Sequence, residues 1–275
     1  MNSSMINAMV SMNGLQQKLD LMADNIANIN TVGYKRKEAT FQDLLNTMYE
    51  QPEAFNQTGR LTPLGFSQGW GSRLSIIQPN LEQGTITDTG RESDIAIQGN
   101  ALFEVIVDGE GNRAYTRNGA FQLTVDGNGD TILATAEGYP VVATVAGREQ
   151  RVVVPDGYKL RVNADGSLQG VATNGDTIDL GQLKLVQPTR PAALTPVADN
   201  LFAVADGINV DDVLQNITPN ADNGVAVRQG ALEQSNVNLS EEMTELINVQ
   251  RAYQLAARAI TSSDTMMGLA NGLRR

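Results

Sequence analysis

The chain contains neither cysteine nor histidine. Without cysteine there is no disulfide framework and no thiolate to hold a metal. Without histidine there is no imidazole for proton transfer, so Ser/His and Cys/His nucleophilic sites and the common zinc sites are excluded. Lone carboxylates and lysines remain, but the composition does not favour an enzyme, and no cofactor is expected. No run of about 18 apolar residues exists to cross a membrane. Residues 1–30 lack a basic n-region, a continuous apolar h-region and a small-residue cleavage site, so no cleavable signal peptide is read. Basic charge is scarce as well. The formal net charge is −11, which argues against nucleic acid as a partner because phosphate binding needs a basic face.

The 275 residues are 41% hydrophobic, enough for a real core in one large or two ordinary domains. Charge is unevenly spread. Residues 1–37 carry four basic and two acidic side chains and residues 238–275 four of each, which leaves −13 for the middle of a chain whose total is −11. Nearly neutral ends suit burial among other subunits, and an acidic body suits solvent.

Both ends carry apolar heptads. Met5, Met12, Leu19 and Ile26 fall seven apart, with Ala8, Leu15, Met22 and Ile29 in the other seam position. Leu239, Leu246, Tyr253, Ile260 and Met267 make a second ladder of the same period. Helices of about 28 and 34 residues would be ~42 and ~50 Å long. Stripes of that length ask for each other, or for copies in neighbouring molecules. The expected fold is therefore mixed and mainly β: a central all-β body, plus N- and C-terminal helices that pair as a coiled-coil-like assembly domain.

The first helix is expected to start near Ser3 or Ser4 and end near Asn30, with Gly33 placed to close it and Lys35, Arg36 and Lys37 just beyond. Phe41, Leu44, Leu45 and Met48 suggest a further helical piece before Pro52, and residues 51–80 read as a Gly/Pro-rich arm. From Leu81 the period becomes two, with Asp108-Gly109, Asp126-Gly127, Asp156-Gly157, Asp165-Gly166 and Asn174-Gly175 as hairpin signals. Asn238 with Glu241, or Ser240 in competition, opens the last helix. The expected segments are residues 1–35, an assembly helix; 36–80, a connecting helix and arm; 81–205, the β body; 206–237, a return linker; and 238–275, the second assembly helix.

One stretch imitates a calcium loop. Asp126, Asn128, Asp130 and Glu137 have the spacing, but Thr131 stands where the sharp turn wants Gly and the flanks read as strands, so a polar hairpin turn is expected instead.

Four blocks carry a family resemblance. Ala23-Asp24-Asn25-Ile26-Ala27-Asn28-Ile29-Asn30-Thr31-Val32-Gly33-Tyr34-Lys35 resembles the N-terminal signature of bacterial flagellar rod and hook proteins. Gln98 to Val105, followed by Tyr115-Thr116-Arg117-Asn118-Gly119-Ala120-Phe121, resembles a strand pair of that family's β domain. Leu232 to Leu239 and then Gln250-Arg251-Ala252-Tyr253 resemble its C-terminal signature. The chain departs from the usual pattern at Ala101, Leu102 and Asp24. The resemblance implies terminal helices stacked in a helical tube around an export channel, a torque-transmitting part of the basal body, and export as an unfolded chain through the flagellar apparatus. The implied partners are further copies of the chain, neighbouring rod and hook proteins and the export apparatus, with neither nucleic acid nor direct membrane insertion. Met5, Met12, Leu15, Leu19, Met22, Asn25, Ile26, Asn28, Gly33, Leu246, Arg251, Tyr253, Ile260 and Met267 are the expected assembly-interface residues. Before assembly both ends are expected to be largely disordered, since an isolated amphipathic helix has no partner for its stripe.

Overall fold

The computed structural model describes residues 2–43, 46–50, 65–69, 72–108, 111–127, 129–198, 200–205, 207–220 and 223–273. The chain divides into two compact units, one of residues 1–24, 38–77 and 239–275, the other of residues 25–37 and 78–238. The second unit thus begins inside the N-terminal signature.

The first unit holds most of two long helices, α1 (Asn2–Ala27) and, at the other end of the chain, α3 (Leu239–Gly272). At 26 and 34 residues they are about 39 and 51 Å long. α1 stops at Ala27, earlier than Asn30, because residues 28–33 form successive turns. α3 starts at Leu239, which gives Asn238 the N-cap position. Between the helices run β1 (Lys37–Asp43), paired with β4 (Ser72–Pro79), and β2 (Asn46–Glu50), paired with β3 (Gly65–Gly69). The helix expected from Phe41, Leu44, Leu45 and Met48 is therefore not formed. Phe41 lies in a strand with Thr40 beside it, and apolar spacing over so few residues does not separate helix from strand. Leu44, Leu45 and residues 51–64 lie outside the described residues, while part of the expected arm is the β4 strand.

The second unit is built from two antiparallel sheets. One has the order β17 (Leu194–Ala198), β18 (Leu201–Val204), β8 (Arg113–Thr116), β7 (Leu102–Ile106), β16 (Leu185–Pro188), β19 (Leu214–Ile217). The other has the order β12 (Arg148–Arg151), β11 (Val142–Val145), β15 (Thr177–Leu183), β14 (Ser167–Ala172), β13 (Tyr158–Val162). Three ribbons complete it: β9 (Gln122–Val125) with β10 (Thr131–Ala134), β6 (Ile95–Gln98) with β20 (Ala226–Gln229), and β5 (Ile86–Asp88) with β21 (Ala231–Glu233).

Neighbouring residues of the six-stranded sheet feed different cores. Phe103, Ala114, Leu185 and Leu201 enter a large cluster with Leu133, Ala143, Leu160, Leu168 and Leu183. Leu102, Tyr115, Val186 and Phe202 turn to a smaller cluster closed by Leu194, Leu214 and Val213 of the short helix α2 (Val210–Val213). Because both faces are covered, β7 reads as nearly continuous apolar sequence. Phe103 and Phe121 meet edge to face with centroids 5.0 Å apart at the centre of the larger cluster.

Asp165-Gly166 and Asn174-Gly175 join β13 to β14 and β14 to β15 as expected, with φ of +79° and +93° at the glycines. Residues 206–237 are not a linker, since they hold α2, β19, β20 and β21. Their strands were hard to read because they are short and each buries few apolar side chains, Leu214 and Val227 among them. The pairing Ala226↔Gln98 through Gln229↔Ile95 brings the end of the body back beside its beginning.

Candidate assembly site

In α1 the heptad residues lie on the sheltered side: Met22 is buried, and Met5, Met12, Leu15, Leu19 and Ile26 are half-buried. The other side is exposed, with Ile6 and Met9 near the start and Asn13, Gln16, Gln17 and Asp20 further along. Gly14 sits at mid-helix, where glycine costs roughly 1 kcal/mol relative to alanine. A methyl group there would stand 3.2 Å from the Phe41 ring and 3.5 Å from the Ser72 carbonyl, so the missing side chain lets strands β1 and β4 approach the helix closely. Lys18 then joins three elements: its Nζ lies 5.5 Å above the Phe41 ring and 2.5 Å from Glu245 Oε1 on α3.

In α3, Leu246, Tyr253, Ile260 and Met267 are half-buried, whereas Leu239, the first rung of the expected ladder, is 44% exposed. Glu242, Val249, Ala256 and Ser263 alternate with those four at spacings of four and three and complete the seam; Glu242, Val249 and Ser263 are buried. The sequence reading missed this second row because Glu242 and Ser263 are polar. Its own seven-residue spacing, four residues ahead of Leu246, Tyr253, Ile260 and Met267, was the available signal. Met243, Ile247, Leu255, Met266, Leu269 and Leu273 are all exposed, Leu255 at 64% and Leu269 at 68%. At 3.6 residues per turn Ile247, Leu255 and Leu269 fall on the side of the helix away from the seam, and Met243 and Met266 lie on its flanks. α3 is therefore apolar on two faces, of which its own chain covers one. Arg251 is exposed on the outer side, between Ile247 and Leu255.

Asn25, Asn28 and Gly33 belong to a different arrangement, inside the second unit. Asn25 is buried; its Oδ1 accepts from the Tyr34 hydroxyl at 3.1 Å and the Lys37 N–H at 2.9 Å, and its amide donates to the Lys37 carbonyl at 3.0 Å. Asn28 accepts from the Thr31 hydroxyl within the turn. Gly33 has the expected positive φ of +70°, but its N–H bonds the Glu233 carbonyl of β21 at 2.8 Å and does not cap α1.

Beside it lies a buried ion cluster. Glu233 Oε1 accepts from Lys35 Nζ at 2.7 Å and from the Gly84 N–H at 2.7 Å, while Oε2 accepts from Arg117 Nε at 2.5 Å. Arg117 also donates to the carbonyls of Ala101, Ile97 and Gly99, and Lys35 to that of Glu82. Burial lowers the pKa of both cations, with Arg117 adding to the effect at Lys35 and the Glu233 carboxylate opposing it at each. Sequence reasoning did not single out Glu233 or Arg117. The signal was a charge at a core-facing position, since Leu232 and Glu233 are consecutive and both buried. Three of the four signature blocks meet here.

The acidic turn at Asp126 is occupied from within: Arg151 bonds Asp126 and lies 3.6 Å from Asp130. Its positive φ falls at Gly129, not at Gly127, and Asn128 lies outside the described residues. Among the described residues no three His, Cys, Asp or Glu side chains are grouped to hold a metal, and no helix is long and apolar enough to cross a membrane.

Family models match the chain in three places: "Flagella basal body rod protein" over residues 5–35, "Flagellar hook protein FlgE/F/G D1 domain" over 96–170, and "Flagellar basal body rod FlgEFG protein C-terminal" over 228–273. The flagellar basal-body rod protein FlgG of Borreliella burgdorferi is 32% identical over 265 residues, covering 96% of each chain. FlgG of Agrobacterium fabrum is 34% identical, covering 95% of each. The flagellar hook-basal body complex protein FlhP of Bacillus subtilis is 34% identical over 98% of this chain and 99% of its own. The matched ends are the two helices with the ion cluster at their roots, the matched centre runs from β6 into β14 and takes in β7 and β8 of the six-stranded sheet, and on this evidence the chain belongs to the flagellar basal-body rod protein family.

Proposed function

We propose that the chain is a structural component of the flagellar rod, that it polymerises through α1 and α3 into a helical tube around the export channel, and that it transmits torque towards the hook. Its FlgG-named relatives favour the distal rod. The observation that carries this reading is the two-faced α3: a helix with apolar residues on opposite sides needs a neighbour on each, and this chain supplies one. A second copy provides the other, and repeating one such heterologous contact by rotation and rise gives an open helical polymer. Neighbouring rod and hook proteins, with terminal helices of the same family, are the partners at the tube's ends. Export through the flagellar apparatus brings the chain there. Electron microscopy of the full-length protein at high concentration, beside a version lacking residues 1–24 and 239–275, tests the reading. Tubes or fibres from the full-length chain alone are expected; equal assembly of both versions, or none by either, contradicts it.

A further inference from the structure

We propose that Glu233 is a positioning residue for assembly: with Lys35 and Arg117 it forms a closed clamp that keeps residues 25–37 and 233–238 folded within the β body before the helices find partners. Its assembly role rests on the rod reading; the clamp itself does not.

The clamp is self-sufficient. One carboxylate faces two cations, and Glu233, Lys35 and Arg117 are 2%, 2% and 3% exposed. The surplus positive charge is spread over the carbonyls of Glu82, Ile97, Gly99 and Ala101, all in the same unit. A buried ion group persists only when its remaining donors and acceptors are satisfied, and here the chain satisfies them without a second molecule. The outer face of α3 is the opposite case, because its exposed leucines and methionines are complete only with a partner.

The backbone repeats the tie. The Gly33 N–H bonds the Glu233 carbonyl at 2.8 Å, the Arg36 N–H bonds Asn236 Oδ1 at 2.7 Å, and the Asn236 amide bonds the Asn80 carbonyl at 2.9 Å. The stretch that leaves α1 and the stretch that enters α3 are thereby fixed to each other inside the body. Each subunit then enters assembly with the two helix roots already at set spacing, and the entropy of ordering that junction is not charged to the nucleation step.

Hydrogen exchange on the dilute, full-length monomer tests the clamp. Amides of 33–37 and 233–237 are expected to exchange as slowly as those of β7 and β8, and at least about a hundredfold more slowly than residues 5–24. If 33–37 exchange as fast as 5–24, the clamp is overturned whether or not the protein polymerises. Glu233→Gln is expected to speed exchange in both segments by about tenfold or more while β13–β15 stay unchanged, and to lengthen the lag before polymer appears. Unchanged protection in this variant also overturns the clamp.

Leu168→Ala in β14 is the control for general destabilisation, since Leu168 is a buried core residue that contributes no donor or acceptor to the ion cluster. It is expected to leave the lag unchanged. An equal lag for Glu233→Gln and Leu168→Ala at matched stability overturns the positioning role. If the protection pattern is as expected but the wild-type chain does not polymerise, the clamp stands and the rod reading fails.

Discussion

At the scale of single residues, Gly33 illustrates how little freedom the junction has. A β-carbon there would stand 2.5 Å from the Asn118 nitrogen, at a φ of +70° that side chains avoid. Gly33→Ala should therefore lose about 2–4 kcal/mol in urea denaturation, combining backbone strain with overpacking; a loss below about 0.5 kcal/mol, the ordinary range for a surface change, would show that the turn yields. Tyr115 gives a second test. Burial, reinforced by the Glu104 carboxylate, pushes its phenol up to about 12 from the ordinary 10.0. Because the folded value is the higher one, its contribution to stability is intact below about pH 10 and is lost as pH rises through about 12. Absorbance titration should show one phenolate appearing only near pH 12, and Tyr115→Phe should remove both that signal and its share of the alkaline loss of stability.

At the scale of elements, the helices were legible and their roots were not. Seven-residue ladders specify where α1 and α3 run, because an apolar stripe is a property of local sequence. The expected 34 residues of the last helix match α3 from Leu239 to Gly272. By contrast, nothing local announces that Lys35 meets Glu233, since their contact depends on how β5, β6, β20 and β21 pair. For the same reason β19 to β21 read as a linker, and Phe41 as helical. The outer face of α3 separates folding from assembly experimentally. Replacing Leu255 and Leu269 together by Ser should change monomer stability by no more than about 0.5 kcal/mol, as surface substitutions do. The same pair should abolish the tubes seen by electron microscopy. Normal tubes from that variant would remove α3's outer face from the interface.

At the scale of the whole molecule, an acidic body sits between nearly neutral ends, so subunits drawn together through their helices repel through their bodies. Raising salt from 0.01 to 0.1 M shortens the screening length from about 30 to about 10 Å. Polymer mass measured by sedimentation should rise over that range, and a fall would mean that attraction between charged surfaces drives assembly. The Lys35–Glu233 contact also sets a clock on biosynthesis. Its partners are 198 residues apart. At about 5–20 residues per second, a ribosome takes about 10–40 s to travel from one to the other. Throughout that interval β5 and β6 wait for β21 and β20, so the body has no means of closing around its N-terminal signature until the chain is almost finished.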